Sequence, residues 1–84
     1  MRYDLNLLPT FIALMEERNV TRAAERLGIT QPALSNALNR LRVMLTDPLF
    51  IRERYGMQPT EKAQELAPVI AAALATLDDI VLGQ

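Results

Sequence analysis

Residues 19–42 read N-V-T-R-A-A-E-R-L-G-I-T-Q-P-A-L-S-N-A-L-N-R-L-R, and their spacing predicts two helices joined by a tight turn. Apolar residues recur at helical intervals in the first half, and Gly28 follows where a helix end favours a left-handed backbone. Asn19 and Thr30 are each suited to cap the helix that follows, because their side-chain oxygens can accept a free backbone N–H. The stretch is therefore predicted to form a helix-turn-helix over about residues 20–39.

The second helix of this motif has one apolar and one polar face. The apolar face comprises Leu34, Ala37, Leu38, Leu41 and Leu45, and the polar face comprises Gln31, Ser35, Asn36, Asn39 and Arg40. In a major groove, amides favour adenine and Arg favours guanine or phosphate, so the polar face predicts sequence-specific DNA contacts. The alternative is a packing helix with an ordinary solvated face, since any surface helix has one.

The composition of the 84 residues is that of one globular domain, with 50% hydrophobic and 23% charged residues. The chain has neither Cys nor His, which removes disulfides, thiolate and imidazole chemistry and most zinc sites. Its carboxylates are scattered along the sequence, so we predict no enzymatic activity and no cofactor. There is no apolar run of ~20 residues to span a membrane and no signal-peptide pattern, so a cytoplasmic protein is expected.

The net charge of −1 is unevenly distributed along the chain. Residues 1–17 contain one Arg and three acidic residues, residues 18–54 contain seven Arg and three acidic residues, and residues 55–84 contain one Lys and four acidic residues. The basic segment includes the predicted motif. Because charges act over a Debye length of about 8 Å, this local excess favours a nucleic-acid partner despite the total. The alternative is that these cations form surface ion pairs, such as Arg22 with Glu25.

The segment that precedes the motif, residues 4–18, predicts another helix. Its broad apolar stripe would give the helix pair a third side to its core, so we expect it to be scaffold. Asn6 as N-cap would place Pro9 in the first turn of this helix, where the missing N–H of proline costs little.

The segment after the motif, residues 49–59, predicts a short hairpin, or wing. A wing tip that carries Arg can lie in a minor groove or on phosphates, and Arg54 is the leading candidate for this contact. Arg52 is the next candidate, with an internal ion pair as its alternative. Tyr55 is predicted either to contact sugar–phosphate or to cover the core.

Residues 61–84 predict a long last helix that begins after Thr60 as N-cap. Its heptad repeat of apolar residues exceeds what a winged domain of about 60 residues needs to cover, so we predict a seam between two chains. The alternative is a helix of the chain's own core. The predicted dimerisation residues are Ala63, Leu66, Ile70, Ala73, Leu74, Leu77, Ile80 and Val81.

Several segments together resemble the N-terminal domain of LysR-type transcriptional regulators, in the branch of nodulation and aromatic-degradation regulators. They are D-L-N-L-L, T-R-A-A-E-R-L-G-I-T-Q-P-A-L-S, D-P-L-F-I-R and G-M-Q-P-T. The resemblance implies a mainly α fold, with a winged helix-turn-helix of three helices and a two-stranded wing over residues 3–60. It implies a linker helix over 61–84 that pairs antiparallel in a homodimer, in a family whose full-length members form dimers or tetramers. It further implies that a small-molecule effector acts through a C-terminal domain absent from this chain.

The resemblance also implies a partner and contact residues. The partner is double-stranded promoter DNA with an interrupted inverted repeat, bound by the dimer for transcriptional regulation. The alternative is a helical dimerisation or protein-interaction module without DNA contact. Two positions differ from the family's usual pattern, since Asn36 often corresponds to Arg, and Tyr55 to Lys or Arg. With Thr30 near phosphate and Pro32 among the usual contact positions, the predicted DNA-binding residues are Thr30, Gln31, Pro32, Ser35, Asn36, Asn39, Arg40, Arg52 and Arg54.

Overall fold

The computed structural model describes residues 3–83, so Gln84 of the predicted linker helix lies outside the described residues. This part of the chain forms four α-helices and a two-stranded antiparallel sheet, which confirms the mainly α, winged helix-turn-helix fold. The elements are α1 (Leu8–Glu17), α2 (Val20–Leu27), α3 (Gln31–Leu45), β1 (Phe50–Glu53), β2 (Gly56–Pro59) and α4 (Glu61–Val81).

Capping residues fix the limits of the helix-turn-helix as predicted. The Asn19 side chain accepts the N–H of Arg22 at 2.9 Å, and the Thr30 side chain accepts the N–H of Ala33 at 3.2 Å. Gly28 ends α2 with a φ of 69°, in the left-handed region. These caps pair N–H groups that the helices leave free, so Asn19 sets the residue at which α2 begins and Thr30 the residue at which α3 begins.

The N-terminal turn corrects one prediction. Asp4, not Asn6, is the capping residue: its Oδ1 accepts the N–H of Asn6 at 2.9 Å and begins a 3-10 turn at Leu5–Leu7. α1 then begins at Leu8, with Pro9 in its first turn. The prediction of Asn6 as N-cap was wrong because the tighter 3-10 turn takes up the residues between Asp4 and the α-helix.

The core lies where α1, α3, the wing and the start of α4 meet. Phe11 of α1 and Phe50 of β1 are fully buried, with their ring centroids 5.7 Å apart. From α3, the side chains of Leu34, Leu38 and Leu41 enter the same core. These residues recur at helical spacing, so their burial directs the opposite face of α3 to solvent.

α4 belongs partly to this core and partly to the surface. Ala63 is 0% exposed and Ile70 is 8% exposed, and Leu66 and Leu74 are partly buried against the same core. The prediction that Ala63 and Ile70 form a seam with a second chain was therefore wrong, because their own domain already covers them. The first half of α4 therefore packs in the chain's own core, which was the alternative prediction for this helix. Over the described residues, no helix combines the length and apolar character needed to cross a bilayer.

The wing is joined to the corner between α1 and α2. Arg18, at this corner, has a left-handed backbone with a φ of 54°, and its carbonyl oxygen accepts the N–H of Met57 at 2.9 Å. Gly56 has a φ of 133°, and a Cβ at this position would lie 2.5 Å from the Arg18 carbonyl oxygen. The wing can approach the corner this closely because residue 56 has no side chain.

Gly56→Ala is therefore expected to lower the free energy of unfolding by roughly 2–4 kcal/mol, through backbone strain and a weakened Met57–Arg18 hydrogen bond. Urea denaturation followed by circular dichroism measures this change. Gly28→Ala is the control, because it shares a positive φ but its added Cβ has no neighbour within 4 Å. It should lose only about 1–2 kcal/mol. Equal losses in the two variants would contradict the close approach of the wing to Arg18.

The carboxylate of Asp47 joins the end of α3 to the start of α4. Its Oδ2 accepts the Thr60 hydroxyl at 2.7 Å and the Leu49 N–H at 2.9 Å. Thr60 in turn caps α4 by accepting the N–H of Ala63 at 3.1 Å. The hydrogen bonds from Thr60 and Leu49, with a smaller effect of the Lys62 charge, lower the pKa of Asp47.

This lowered pKa predicts a pH-dependent contribution to stability. The contribution is complete above the ordinary carboxyl pKa of about 4 and is lost as the pH falls through the lower folded-state pKa. Asp47→Asn should therefore be less stable than the wild type at pH 7, and the difference should shrink below pH 4. Urea midpoints measured between pH 7 and pH 2 test this, with Asp79→Asn on the exposed surface of α4 as the charge-matched control. A difference for Asp47→Asn that stays constant with pH would refute the assignment.

Candidate nucleic-acid interface

The polar face of α3 is exposed from the first turn of the helix onward. Because the leucines on the opposite side are buried, this face cannot turn inward without opening a close-packed core. The structure thus places seven of the predicted DNA-binding residues on α3 and its N-cap, all of them exposed. They are Thr30, Gln31, Pro32, Ser35, Asn36, Asn39 and Arg40.

Gln31, the first residue of α3, is held by a residue of α2. Its Nε2 donates to the Thr21 hydroxyl at 2.9 Å. One amide proton and the Oε1 atom of Gln31 remain available for a ligand. Thr21 was not predicted as a functional residue. The only signal in the sequence is a hydroxyl in the first turn of α2, which local patterns do not connect with Gln31, ten residues later.

Arg42 belongs to the basic segment, but its guanidinium group forms hydrogen bonds within the domain. Its guanidinium donates to the carbonyl oxygens of Pro48 and Phe50, both at 2.8 Å, and to Oδ1 of Asn39 at 3.0 Å. It therefore joins α3 to the base of the wing. This role of Arg42 was not predicted, because the positions of its acceptors depend on the path of the connecting loop, where Leu49 has a φ of 63°.

Two other arginines form ion pairs with carboxylates of the same domain. Arg26 forms ion pairs with Glu16 and Glu17 at the corner of α1 and α2, and its pKa is raised, mainly by the hydrogen bond to Glu16. Arg40 pairs with Asp4 at 3.2 Å, although its side chain is largely exposed. The positive charge of the basic segment is thus partly neutralised within the domain. This agrees with the alternative that its arginines form surface ion pairs, but the pairs involve Arg26 and Arg40.

The remaining cations near the wing and on α2 are accessible. Within residues 3–83, the side chains of Arg22 and Arg52 form no ion pair, so neither the Arg22–Glu25 pair nor an internal pair of Arg52 is seen. Arg54 at the wing tip lies over the ring of Tyr55, 5.6 Å from its centroid. Tyr55 is 90% exposed, so the alternative in which it covers the core is wrong.

The chemistry of this surface is hydrogen bonding and positive charge. Amides and hydroxyls on α3 can donate and accept, and the guanidinium groups of the wing can donate to anions. Among the residues that the structure describes, no group of acidic, His or Cys side chains is arranged to hold a metal ion. Groups of this kind on a helix and a wing can bind base edges and phosphates.

Known proteins are similar to this chain in both sequence and fold. The model of the bacterial regulatory helix-turn-helix proteins of the lysR family matches residues 5–64. The chain belongs to the LysR family. A LysR-family relative, the HTH-type transcriptional activator NahR of Pseudomonas putida, is 53% identical over 74 residues, which cover 88% of this chain and 25% of NahR. This chain thus spans about a quarter of the length of the curated relatives that it matches.

Solved structures agree with the LysR-family assignment. The crystal structure of the probable transcriptional regulator PA0477 from Pseudomonas aeruginosa matches with a TM-score of 0.88 and 51% identity, over 93% of this chain and 26% of that chain. The crystal structure of a BenM DBD/catB site 1 DNA complex matches with a TM-score of 0.86 and 29% identity, over 93% of this chain and 88% of that chain. The fold of this chain is therefore that of a LysR-family winged helix-turn-helix.

Proposed function

We propose that this chain binds double-stranded DNA with a sequence preference, as the DNA-binding part of a transcriptional regulator. The observation that carries the proposal is the exposed polar face of α3 between Gln31 and Arg40. A helix fits the major groove, and the amides and hydroxyl of this face can bind base edges there. The fold is supported by its similarity to a BenM domain solved with DNA, and a regulatory rather than enzymatic role by relatives named as regulators.

The site residues have different roles in this proposal. Gln31, Ser35 and Asn36 face the bases, because they lie on the outward side of the first turns of α3. The Thr30 hydroxyl accepts the Ala33 N–H as a cap, so its own proton can be donated to a phosphate oxygen. On the wing and further along α3, guanidinium groups neutralise phosphates and fix the position of the helix in the groove. These residues are Arg40, Arg52 and Arg54.

Gln31→Ala is expected to weaken binding to the preferred duplex by about 1–3 kcal/mol and to leave binding to a scrambled duplex unchanged. The reason is that a base contact carries sequence information, whereas a phosphate contact does not. Fluorescence anisotropy with a duplex enriched by the chain from a random pool measures both affinities. Gln64→Ala is the matched control, because Gln64 is an exposed glutamine on α4. Full discrimination by Gln31→Ala would exclude Gln31 from base recognition.

We propose further that the second half of α4 pairs with a second copy of the chain, in antiparallel orientation. Val69, Leu77, Ile80 and Val81 are 41–81% exposed, although each is apolar. Val69, Ala73 and Ile80 share one row of the helix and Leu77 lies beside it, so a second helix could cover them together. A two-fold dimer would present two α3 helices to an interrupted inverted repeat, which is the DNA symmetry that we propose for the target.

Leu77→Asp is expected to weaken the dimer by about 100-fold or more, since each of the two copies would lose roughly 1.5–3 kcal/mol of apolar burial and bury a charge. Sedimentation equilibrium measures the dissociation constant, and circular dichroism verifies that the variant folds. Ala75→Asp provides the control, because it adds the same charge on the opposite side of the same helix. The same dissociation constant for both variants would exclude this face as the interface.

A further inference from the structure

A hydrogen bond between two exposed side chains joins the first turn of α2 to the first turn of α3. Nε2 of Gln31 donates to Oγ1 of Thr21 at 2.9 Å. Among residues 3–83, no other hydrogen bond between side chains connects these two helices. A free glutamine side chain samples many rotamers, so this contact limits the positions that the Gln31 amide can take.

The partner in this contact, Thr21, is itself held in a defined position. Asn19 caps α2 by accepting the N–H of Arg22 at 2.9 Å, which fixes the turn that contains Thr21. Ala23 and Ala24 follow in the same helix and are 0% and 2% exposed, so this side of α2 is packed into the core. The side chain of Thr21 is branched at Cβ and has few χ1 rotamers in a helix. Its hydroxyl is therefore a well-placed acceptor.

The turn between the two helices does not depend on this contact. The N–H of Gly28 donates to the Glu25 carbonyl at 3.1 Å, and the N–H of Ile29 donates to the Ala24 carbonyl at 3.0 Å. These bonds are made by backbone atoms alone, and they close the end of α2. Loss of the Thr21 hydroxyl should therefore leave the helix-turn-helix intact, so its effect on DNA binding can be measured in a folded chain.

The contact with Thr21 is compatible with a base contact of Gln31. The amide has two N–H donors and one oxygen, and only one N–H is donated to Thr21. The edge of adenine needs one acceptor, for N6, and one donor, to N7. Because a hydroxyl can donate as well as accept, the contact also persists if the amide turns over, and a donor and an acceptor still remain for the base.

We propose that Thr21 is a positioning residue that orients Gln31 for base recognition before DNA is bound. This inference rests on the proposed DNA binding and on the base contact of Gln31. In the free chain the hydroxyl already restricts the glutamine side chain, so less conformational freedom is lost when Gln31 meets a base. Thr21 thereby contributes to sequence discrimination without touching a base.

The first test is Thr21→Val, which keeps the branched shape of the side chain and removes the hydroxyl. We expect it to weaken binding to a duplex that the wild type has enriched from a random pool by about two- to tenfold, as the release of one flexible side chain should. Binding to a scrambled duplex should stay unchanged. Fluorescence anisotropy measures both affinities, and thermal denaturation followed by circular dichroism verifies that the variant is folded.

Thr21→Ser is the matched control, because it retains the hydroxyl and loses only a methyl group. It should keep both the affinity and the discrimination of the wild type to within about twofold. If Thr21→Ser loses as much discrimination as Thr21→Val, the methyl group and not the hydrogen bond is responsible, and the inference is overturned.

A double-mutant cycle with Gln31→Ala separates positioning from a direct or purely structural role. If Thr21 acts through Gln31, Thr21→Val has no further effect on either duplex once Gln31 is replaced by Ala. A direct contact of Thr21 with phosphate would instead weaken both duplexes, and it would do so equally in the Gln31→Ala background. A general loosening of α2 would give the same additive result. Additive losses therefore overturn the inference.

Two further results would contradict the role of Thr21. Unchanged binding of Thr21→Val to the enriched duplex would show that the contact does not prepare Gln31, and tighter binding would show that Thr21 competes with the base. Either result leaves the proposed DNA binding intact. Enrichment of no duplex by the wild type would contradict the proposed function itself, and full discrimination by Gln31→Ala would remove the base contact on which this inference rests. The failures are thus distinguishable.

Discussion

Three leucines of α3, Leu34, Leu38 and Leu41, lie in the core with at most 4% of their surface exposed. Removing one buried leucine side chain typically costs 2–5 kcal/mol, which is a large part of the stability of a small domain. The rotation of α3 about its own axis is therefore fixed. Because side chains follow the 3.6-residue period of the helix, fixing this row also fixes the outward direction of the amides and hydroxyls on the opposite face. Packing thus determines which chemistry the surface presents.

Two sets of polar contacts hold the wing, one to α3 and one to the corner between α1 and α2. The Arg18 carbonyl accepts the N–H of Met57 on β2, and the Arg42 guanidinium binds carbonyl oxygens where β1 begins. A two-stranded hairpin alone is marginally stable in water, so these contacts and the burial of Phe50 hold it in one position. The arginines of the wing can therefore act together with α3 on one ligand.

The sequence predicted the features that depend on near neighbours. The caps Asn19 and Thr30, the left-handed Gly28 and the two-stranded wing were all confirmed, because each is determined within a few residues. One local feature, the cap at Asp4, was missed, and the other missed contacts depend on the path of the chain between elements, as the approach of Gly56 to Arg18 does. The apolar repeat of α4 is a special case, because apolar burial is non-directional and a sequence cannot tell the chain's own core from a second chain. Ala63 was therefore wrongly assigned to a seam with a second chain, although it is buried in the chain's own core.

The most direct test of the account is an amide NMR titration of the 15N-labelled chain with a duplex that it has selected. We expect the resonances that shift most to belong to the exposed face of α3, residues 30–40, and to the wing tip, residues 52–55. Resonances of α1 should shift little, because half of its residues are buried in the domain and none is proposed to contact DNA. Shifts concentrated on the second half of α4, with α3 unchanged, would contradict the claim that the polar face of α3 is the nucleic-acid interface.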